Sequence, residues 1–187
     1  MIYIDESGRG CCSGDMILVG VKLNSEDGKE FSHLKYYKDI KDSKKLSKPK
    51  LMKIAQELID NNIDYHLVSF SPQLIDTIGL SRCLKSGLID LKSHFGNEDY
   101  LYDGNCNYGV DNIKTEVKAD AKYFGVSCAS ILAKFAKENE SKELDTIYPK
   151  YGFGSHSGYV TKKHKEAIKE YGLIEGVHRM SYNLNLD

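Results

Sequence analysis

Met1-Ile2-Tyr3-Ile4-Asp5-Glu6-Ser7-Gly8-Arg9-Gly10 opens the chain, and its reading sets the fold class. Met1 to Ile4 is a short run of strand-favouring residues, and Ser7, Gly8 and Gly10 mark a turn behind it. Met16 to Leu23 is a second apolar run, so the two pair as a hairpin, with Asn24 to Lys29 as the next turn. Working outward, Lys48 to Asn61 carries Leu51, Ile54, Ala55, Leu58 and Ile59 at helical spacing, behind Ser47 and Pro49. Ile63 to Phe70 alternates as a strand. Pro72 to Phe95 is mainly helical, with Gly79 as a point of division. Tyr100 to Tyr102 and Ile113 to Val117 read as short strands, Ala121 to Lys137 and Thr161 to Tyr171 as helices, and the tail from Val177 as irregular. This interleaving predicts an α/β domain with a mixed sheet. Its neighbours are antiparallel at the opening hairpin and parallel at the crossovers.

The 187 residues fit one domain, 1–187, with a helical C-terminal part from about residue 138. Hydrophobic residues make up 41% and charged residues 28%, which excludes long disordered arms and collagen-like chains. Met16 to Val21 is the longest apolar stretch and is far too short to cross a bilayer. The first ten residues have no basic region followed by an apolar core, so no secretory signal is expected. Cys11, Cys12, Cys83, Cys106 and Cys128 are odd in number and contain no C-x-x-C pair. Neither a disulfide framework nor a zinc knuckle is supported, and a reducing, cytoplasmic setting is expected. The net charge is −1, yet eight lysines face two aspartates between Lys35 and Lys53. Lys162, Lys163 and Lys165 follow, and acid gathers from Glu138 to Asp145. Such a split either makes one basic face or is an ordinary solvated surface. No long apolar surface helix is seen, so a monomer with no membrane association is expected.

Several acids stand where an α/β fold places its sites. Asp5-Glu6 follows the first strand, Asp103 ends a later one, and Asp120 lies between a strand and a long helix. Ligands gather at the carboxyl ends of strands in such folds, and carboxylates suit hard divalent cations. Neighbours on a strand point to opposite faces, so Asp5 and Glu6 serve one site only if Ser7-Gly8-Arg9-Gly10 bends the chain there. Four converging carboxylates would repel without a cation. Two ions about 4 Å apart would relieve this and support in-line attack of water on a phosphodiester. Taken singly, each acid also has an ordinary reading: Asp103-Gly104 as a turn, Asp120 as a helix cap. Spacing alone leaves both readings open.

Six segments together resemble the ribonuclease HII (type 2 ribonuclease H) family. They are I-D-E-S-G-R-G at 4–10, D-S-K-K-L-S at 42–47, Y-D-G-N at 102–105, and K-A-D-A at 118–121 continuing to S-C-A-S-I-L-A-K at 127–134. Next come Tyr148-Pro149 with Gly158-Tyr159-Val160-Thr161 and His164, and finally His178-Arg179-Met180-Ser181-Tyr182. They occur in the family's order across nearly the whole chain. The resemblance implies a ribonuclease H-like fold with a central five-stranded mixed sheet flanked by helices. It also implies cleavage of the RNA strand of RNA–DNA hybrids and cleavage at single ribonucleotides in duplex DNA, leaving 3′-hydroxyl and 5′-phosphate ends. By the same resemblance, Asp5, Glu6, Asp103 and Asp120 are catalytic and hold two Mg²⁺ or Mn²⁺ ions. Gly8, Arg9 and Gly10 are similar to the family's sensor of the ribose 2′-hydroxyl. Tyr159 matches the tyrosine that packs on the sugar at the RNA–DNA junction. Ser43 and Lys44 would hold phosphates.

This chain departs from the pattern at Cys11 to Asp15, where prolines are usual, at Ala119 in place of glycine, and at Ser157 in place of lysine. None of these removes an acid. Arg9 argues against the sister type HIII, which resembles G-K-G at this turn. A non-catalytic hybrid-binding protein would be expected to lack at least one of the four acids. A different carboxylate phosphoesterase would need neither the turn nor Tyr159.

Overall fold

The computed structural model describes residues 1–40 and 46–185. Ser43 and Lys44 lie outside the described residues. The strands are β1 (Ile2–Ser7), β2 (Met16–Lys22), β3 (Asp64–Phe70), β4 (Tyr100–Asp103) and β5 (Ile113–Glu116). The helices are α1 (Tyr37–Ile40), α2 (Lys48–Asp60), α3 (Pro72–Ile78), α4 (Leu80–Phe95), α5 (Phe124–Ile147), α6 (Phe153–His156) and α7 (Lys162–Tyr171). The strands form one mixed sheet in the order β3-β2-β1-β4-β5. β2 is antiparallel to both β1 and β3, while β1–β4 and β4–β5 are parallel. The fold class is therefore the one expected.

Each sheet face is covered because strand alternation sends alternate side chains to opposite sides. Tyr3, Val19, Val21 and Leu101 pack under α5 and α2. Ile2, Ile4, Leu18 and Tyr102 pack under α4. Helix α5 lies close on β1 because Gly125 has no side chain: a Cβ there would stand 2.1 Å from the Tyr3 ring. Burying Tyr3, Phe124 and their neighbours is worth roughly 1.5–3 kcal/mol per large side chain. Among the described residues, no helix is long and apolar enough to cross a membrane.

Two expected boundaries differ. β1 continues through Asp5 and Glu6 to Ser7, in register with Val19, Leu18 and Ile17 of β2. The bend therefore comes after the two acids. Helix α5 begins at Phe124 and runs to Ile147, ten residues past the expected end at Lys137. The inward positions of that extension, Lys137 and Ser141, are polar, so the apolar repeat that marks a buried face is missing there. Gly79 does divide the segment from Pro72 to Phe95 into α3 and α4.

Candidate active site

The acids collect at the carboxyl end of the two central strands. Asp5 and Glu6 end β1, and Asp103 ends the parallel neighbour β4. Asp120 is buried in a tight 3-10 turn just before α5. Because β1 stays regular, Asp5 and Glu6 leave on opposite faces; the bend expected to bring them to one site is absent there, and what they share is the nearby charge of Asp103, felt by both at the strand end. Asp5 meets the Ser130 hydroxyl on α5 and accepts the Glu6 backbone N–H at 2.8 Å. Glu6 turns to the other face, where the Tyr102 hydroxyl donates to it at 2.7 Å and Arg9 stands 3.5 Å away. Asp103 receives the backbone N–H groups of Ala119 and Asp120 at 3.2 and 3.3 Å. It therefore orders the very turn that carries Asp120. Ala119 fits where the resembling family has glycine, because the left-handed residue of this turn is Lys118 (φ 60°), one position earlier.

The electrostatics follow from this crowding. Burial, then the charge of Glu6, and to a lesser degree Asp103, push the Asp5 carboxyl up to about 8; the Ser130 hydroxyl and the Glu6 N–H offset this only in part. Glu6 is also raised by burial, against the pull of Tyr102 and Arg9. Asp103 is raised by burial and by facing Asp120. Oxygen donors with surplus negative charge and raised proton affinity are chemically suited to a hard divalent cation. Among the described residues, no three Asp, Glu, His or Cys side chains are drawn into a group that would hold a metal. The fit therefore lies in donor type and charge, not in a closed cage.

Beside the acids, Gly8 takes φ +83°, and Cys11 N–H closes a turn onto the Gly8 carbonyl at 3.2 Å. Glycine is required here, since a Cβ would meet the Asp15 carbonyl at 2.7 Å. The Arg9 carbonyl is held by two donors, an Arg179 Nη1 at 3.1 Å and the Tyr182 hydroxyl at 3.0 Å. In a trans peptide the N–H points away from the carbonyl. The Gly10 N–H is thus turned to the outer side, and a Cβ on Gly10 would meet nothing within 4 Å. Arg179 is fully buried and spends its other donors on the Gly14 carbonyl, at 2.9 and 3.3 Å. Buried Lys137 holds the Ser13 and Asp15 carbonyls at 3.1 and 2.9 Å and pairs with Glu140 at 2.7 Å. Arg179 stands in a quoted motif and is one of three arginines, yet the sequence assigned it no role. Nothing in sequence spacing points Lys137 at this loop.

The segment carrying Tyr159 is fastened to the same loop. Cys12 N–H donates to the Gly158 carbonyl at 3.0 Å, and the Cys11 thiol reaches the Ser157 carbonyl at 3.3 Å. Tyr159 itself is 51% exposed.

A chain of buried histidines backs this segment. The Ile174 N–H donates to His178 Nδ1 at 2.9 Å, so His178 carries its proton on Nε2. That proton faces His164 Nε2 at 3.2 Å, and His164 therefore donates from Nδ1 to the Tyr159 carbonyl at 2.9 Å. A second proton on His164 would point at the one already on His178. Burial likewise pushes both imidazoles down to about 4. The unfolded chain binds more protons than the folded one between pH ~6.5 and ~4, so these rings cost stability there as pH falls. Nitrogen-15 NMR is expected to show both rings neutral at pH 5, with His164 protonated on Nδ1. Titration near 6.5 would refute this arrangement.

A family model described as Ribonuclease HII matches residues 2–92 and 98–185. The chain belongs to the ribonuclease HII family. The ribonuclease HII of Campylobacter jejuni subsp. jejuni serotype O:6 is 43% identical over 186 residues, covering 98% of this chain and 91% of that one. Among solved structures, the chain in the PCNA:RNase HII complex from Archaeoglobus fulgidus superposes with a TM-score of 0.79 at 27% identity, over 97% of this chain and 94% of that one. The Bst-RNase HIII in complex with Mn²⁺ shares the fold, with a TM-score of 0.76 at 16% identity over 98% of this chain and 67% of that one. Membership of the ribonuclease HII family makes this chain a nuclease of the hydrolase class.

Proposed function

We propose that this chain is a metal-dependent endoribonuclease. It cleaves the RNA strand of RNA–DNA hybrids and cleaves at single ribonucleotides in duplex DNA, leaving 3′-hydroxyl and 5′-phosphate ends. It acts as a monomer in the cytoplasm, with 1–187 as one catalytic unit. The observation that supports the reading is the turn beside the acids, where Arg179 and Tyr182 hold the Arg9 carbonyl, so that the Gly10 N–H of the same trans peptide points the opposite way. A rigid backbone donor next to a carboxylate cluster is what reading a ribose 2′-hydroxyl requires, since that hydroxyl is what distinguishes RNA from DNA.

Asp5, Glu6, Asp103 and Asp120 would hold Mg²⁺ or Mn²⁺, which supplies an activated water and neutralises charge on the phosphate. Ser130 and the Glu6 N–H orient Asp5, while Tyr102 and Arg9 orient Glu6. Asp103 keeps Asp120 in place through two backbone bonds. Tyr159 presents an exposed ring for the sugar after the ribonucleotide. The Mn²⁺ in the HIII structure supports the choice of ion.

The test uses three labelled duplexes: all DNA, DNA with one ribonucleotide, and an RNA–DNA hybrid, each with Mg²⁺, Mn²⁺ or EDTA. Metal-dependent cutting 5′ of the lone ribonucleotide and within the hybrid is expected, with the DNA duplex intact. Failure to cut either ribonucleotide substrate would overturn the reading.

A further inference from the structure

Cys11 links the two parts of the molecule that the reading above assigns to the substrate, the turn at Gly8 to Gly10 and the ring of Tyr159. It is fully buried. Its backbone N–H closes the turn onto the Gly8 carbonyl at 3.2 Å. Its thiol donates to the Ser157 carbonyl at 3.3 Å and meets the Tyr159 hydroxyl. A thiol has one proton to give and a sulfur that accepts weakly. With that proton on the Ser157 carbonyl, the Tyr159 hydroxyl is the donor to sulfur. The order is therefore Tyr159 O–H to Cys11 Sγ, and Cys11 S–H to the Ser157 carbonyl. Proline, usual in this stretch of the resembling family, has neither the N–H nor the thiol.

The partners of this thiol are themselves fixed. Ser157 Oγ receives the Lys48 ammonium at 2.7 Å and donates to Glu138 at 2.6 Å. A Cβ on Gly158 would stand 2.5 Å from the Ser13 carbonyl and 3.3 Å from Cys11 Cβ, so the two segments touch backbone to backbone. His164 holds the Tyr159 carbonyl at 2.9 Å. A tyrosine has only two side-chain torsions, so a fixed backbone and an anchored hydroxyl leave its ring one direction. Tyr159 is thereby half-exposed along its ring yet tied at its tip. We propose that Cys11 is a positioning residue for substrate discrimination, its thiol clasping the Tyr159 ring to the Gly8–Gly10 turn so that turn and ring read one ribonucleotide junction as a unit. Being fully buried, Cys11 acts through Tyr159 and not on the substrate itself. The proposal rests on the nuclease reading above and deepens it.

The experiment measures binding of the single-ribonucleotide duplex and of the all-DNA duplex in EDTA. It compares the full chain with Cys11→Ala, Cys11→Ser, Tyr159→Phe, and Cys11→Ala combined with Tyr159→Phe. Cys11→Ala is expected to weaken binding of the single-ribonucleotide duplex about 5-fold, and of the all-DNA duplex less than about 2-fold. Tyr159→Phe keeps the ring and removes only its hydroxyl, and is expected to lose as much. The double variant is expected to lose no more than either single one, because both substitutions break the same bond. Cys11→Ser is expected to recover most of the loss, since a hydroxyl donates and accepts in the same places. A merely structural role at position 11 would instead add to the Tyr159→Phe loss and weaken both duplexes alike. Additive losses, equal losses on the two duplexes, or a serine variant as weak as alanine would each overturn the assignment. Thermal melts identify any variant that fails to fold. If alanine is not tolerated, Cys11→Ser and Tyr159→Phe carry the test, and a Tyr159→Phe that binds both duplexes like the unsubstituted chain overturns the clasp. Binding is read without metal, so cleavage is decided separately. A chain that shows the expected binding cycle but cuts neither ribonucleotide substrate would overturn the nuclease reading and leave the clasp standing.

Discussion

Asp5→Asn is expected to lower turnover by at least about 1,000-fold while leaving the fold as stable as before, or more so. Asp5 is ringed by buried like charge and an α5 hydroxyl, and its carboxyl is pushed up to about 8. It is harder to ionise folded than unfolded, so above pH ~4 the native aspartate costs stability, and a neutral amide removes that cost. Asparagine keeps an oxygen for the Glu6 N–H. What it loses is the negative charge that draws a divalent cation. Melting in EDTA should show an equal or higher Tm for the variant. Mg²⁺ or Mn²⁺ should raise Tm in the unsubstituted chain and much less in the variant. A variant that still turns over, or that melts many degrees lower, would make Asp5 a structural residue. Asp103 is the less clean test, because it also accepts two backbone bonds from the turn that carries Asp120.

Arg179→Met is expected to be the most destabilising single change outside the apolar core, at about 3–5 kcal/mol. For a chain of this size that corresponds to a Tm lower by roughly 10 °C. Methionine fills much of the volume but donates nothing, and both guanidinium bonds to the Gly14 carbonyl are lost. A buried carbonyl stripped of its donor costs about 1–3 kcal/mol. The Arg9 carbonyl keeps only Tyr182, which itself accepts from Arg179 at 2.9 Å. With its peptide less constrained, the Gly10 N–H loses its fixed direction. Preference for a ribonucleotide over all-DNA duplex should therefore fall together with stability. Tyr182→Phe separates the two effects, because it removes one donor to Arg9 and spares Gly14. It should reduce the preference with a Tm loss of only a few degrees. An unchanged preference in Tyr182→Phe would show that the Arg9 carbonyl does not set the turn's reading of the sugar.

Much of this molecule was legible in one dimension. Apolar alternation and helical spacing located all five strands and the main helices, because each element buries one face and so repeats its apolar residues at its own period. The ends were less legible. β1 ran on through Asp5 and Glu6, since backbone pairing with β2 continues regardless of side-chain polarity. α5 ran on past Lys137 because its buried positions there are satisfied by polar partners, Lys137 by carbonyls and Glu140, Ser141 by the Lys137 carbonyl. The motif residues Asp5, Glu6, Gly8, Arg9, Gly10, Asp103, Asp120 and Tyr159 were all named from the chain alone.

By itself, then, the sequence determined the α/β class, the family, and which side chains to consider, because residue type and local period are written along the chain. Only the tertiary structure decided how those side chains are held. It sent Asp5 and Glu6 to opposite faces of β1. It set Arg179 and Lys137 against the carbonyls of a loop more than 120 residues away, as Lys137 to Ser13 shows, and brought Lys48 to Ser157. Those contacts join segments remote in sequence, through backbone carbonyls that carry no residue identity. A hydrogen bond to a peptide oxygen leaves no mark on the identity of the residue that accepts it.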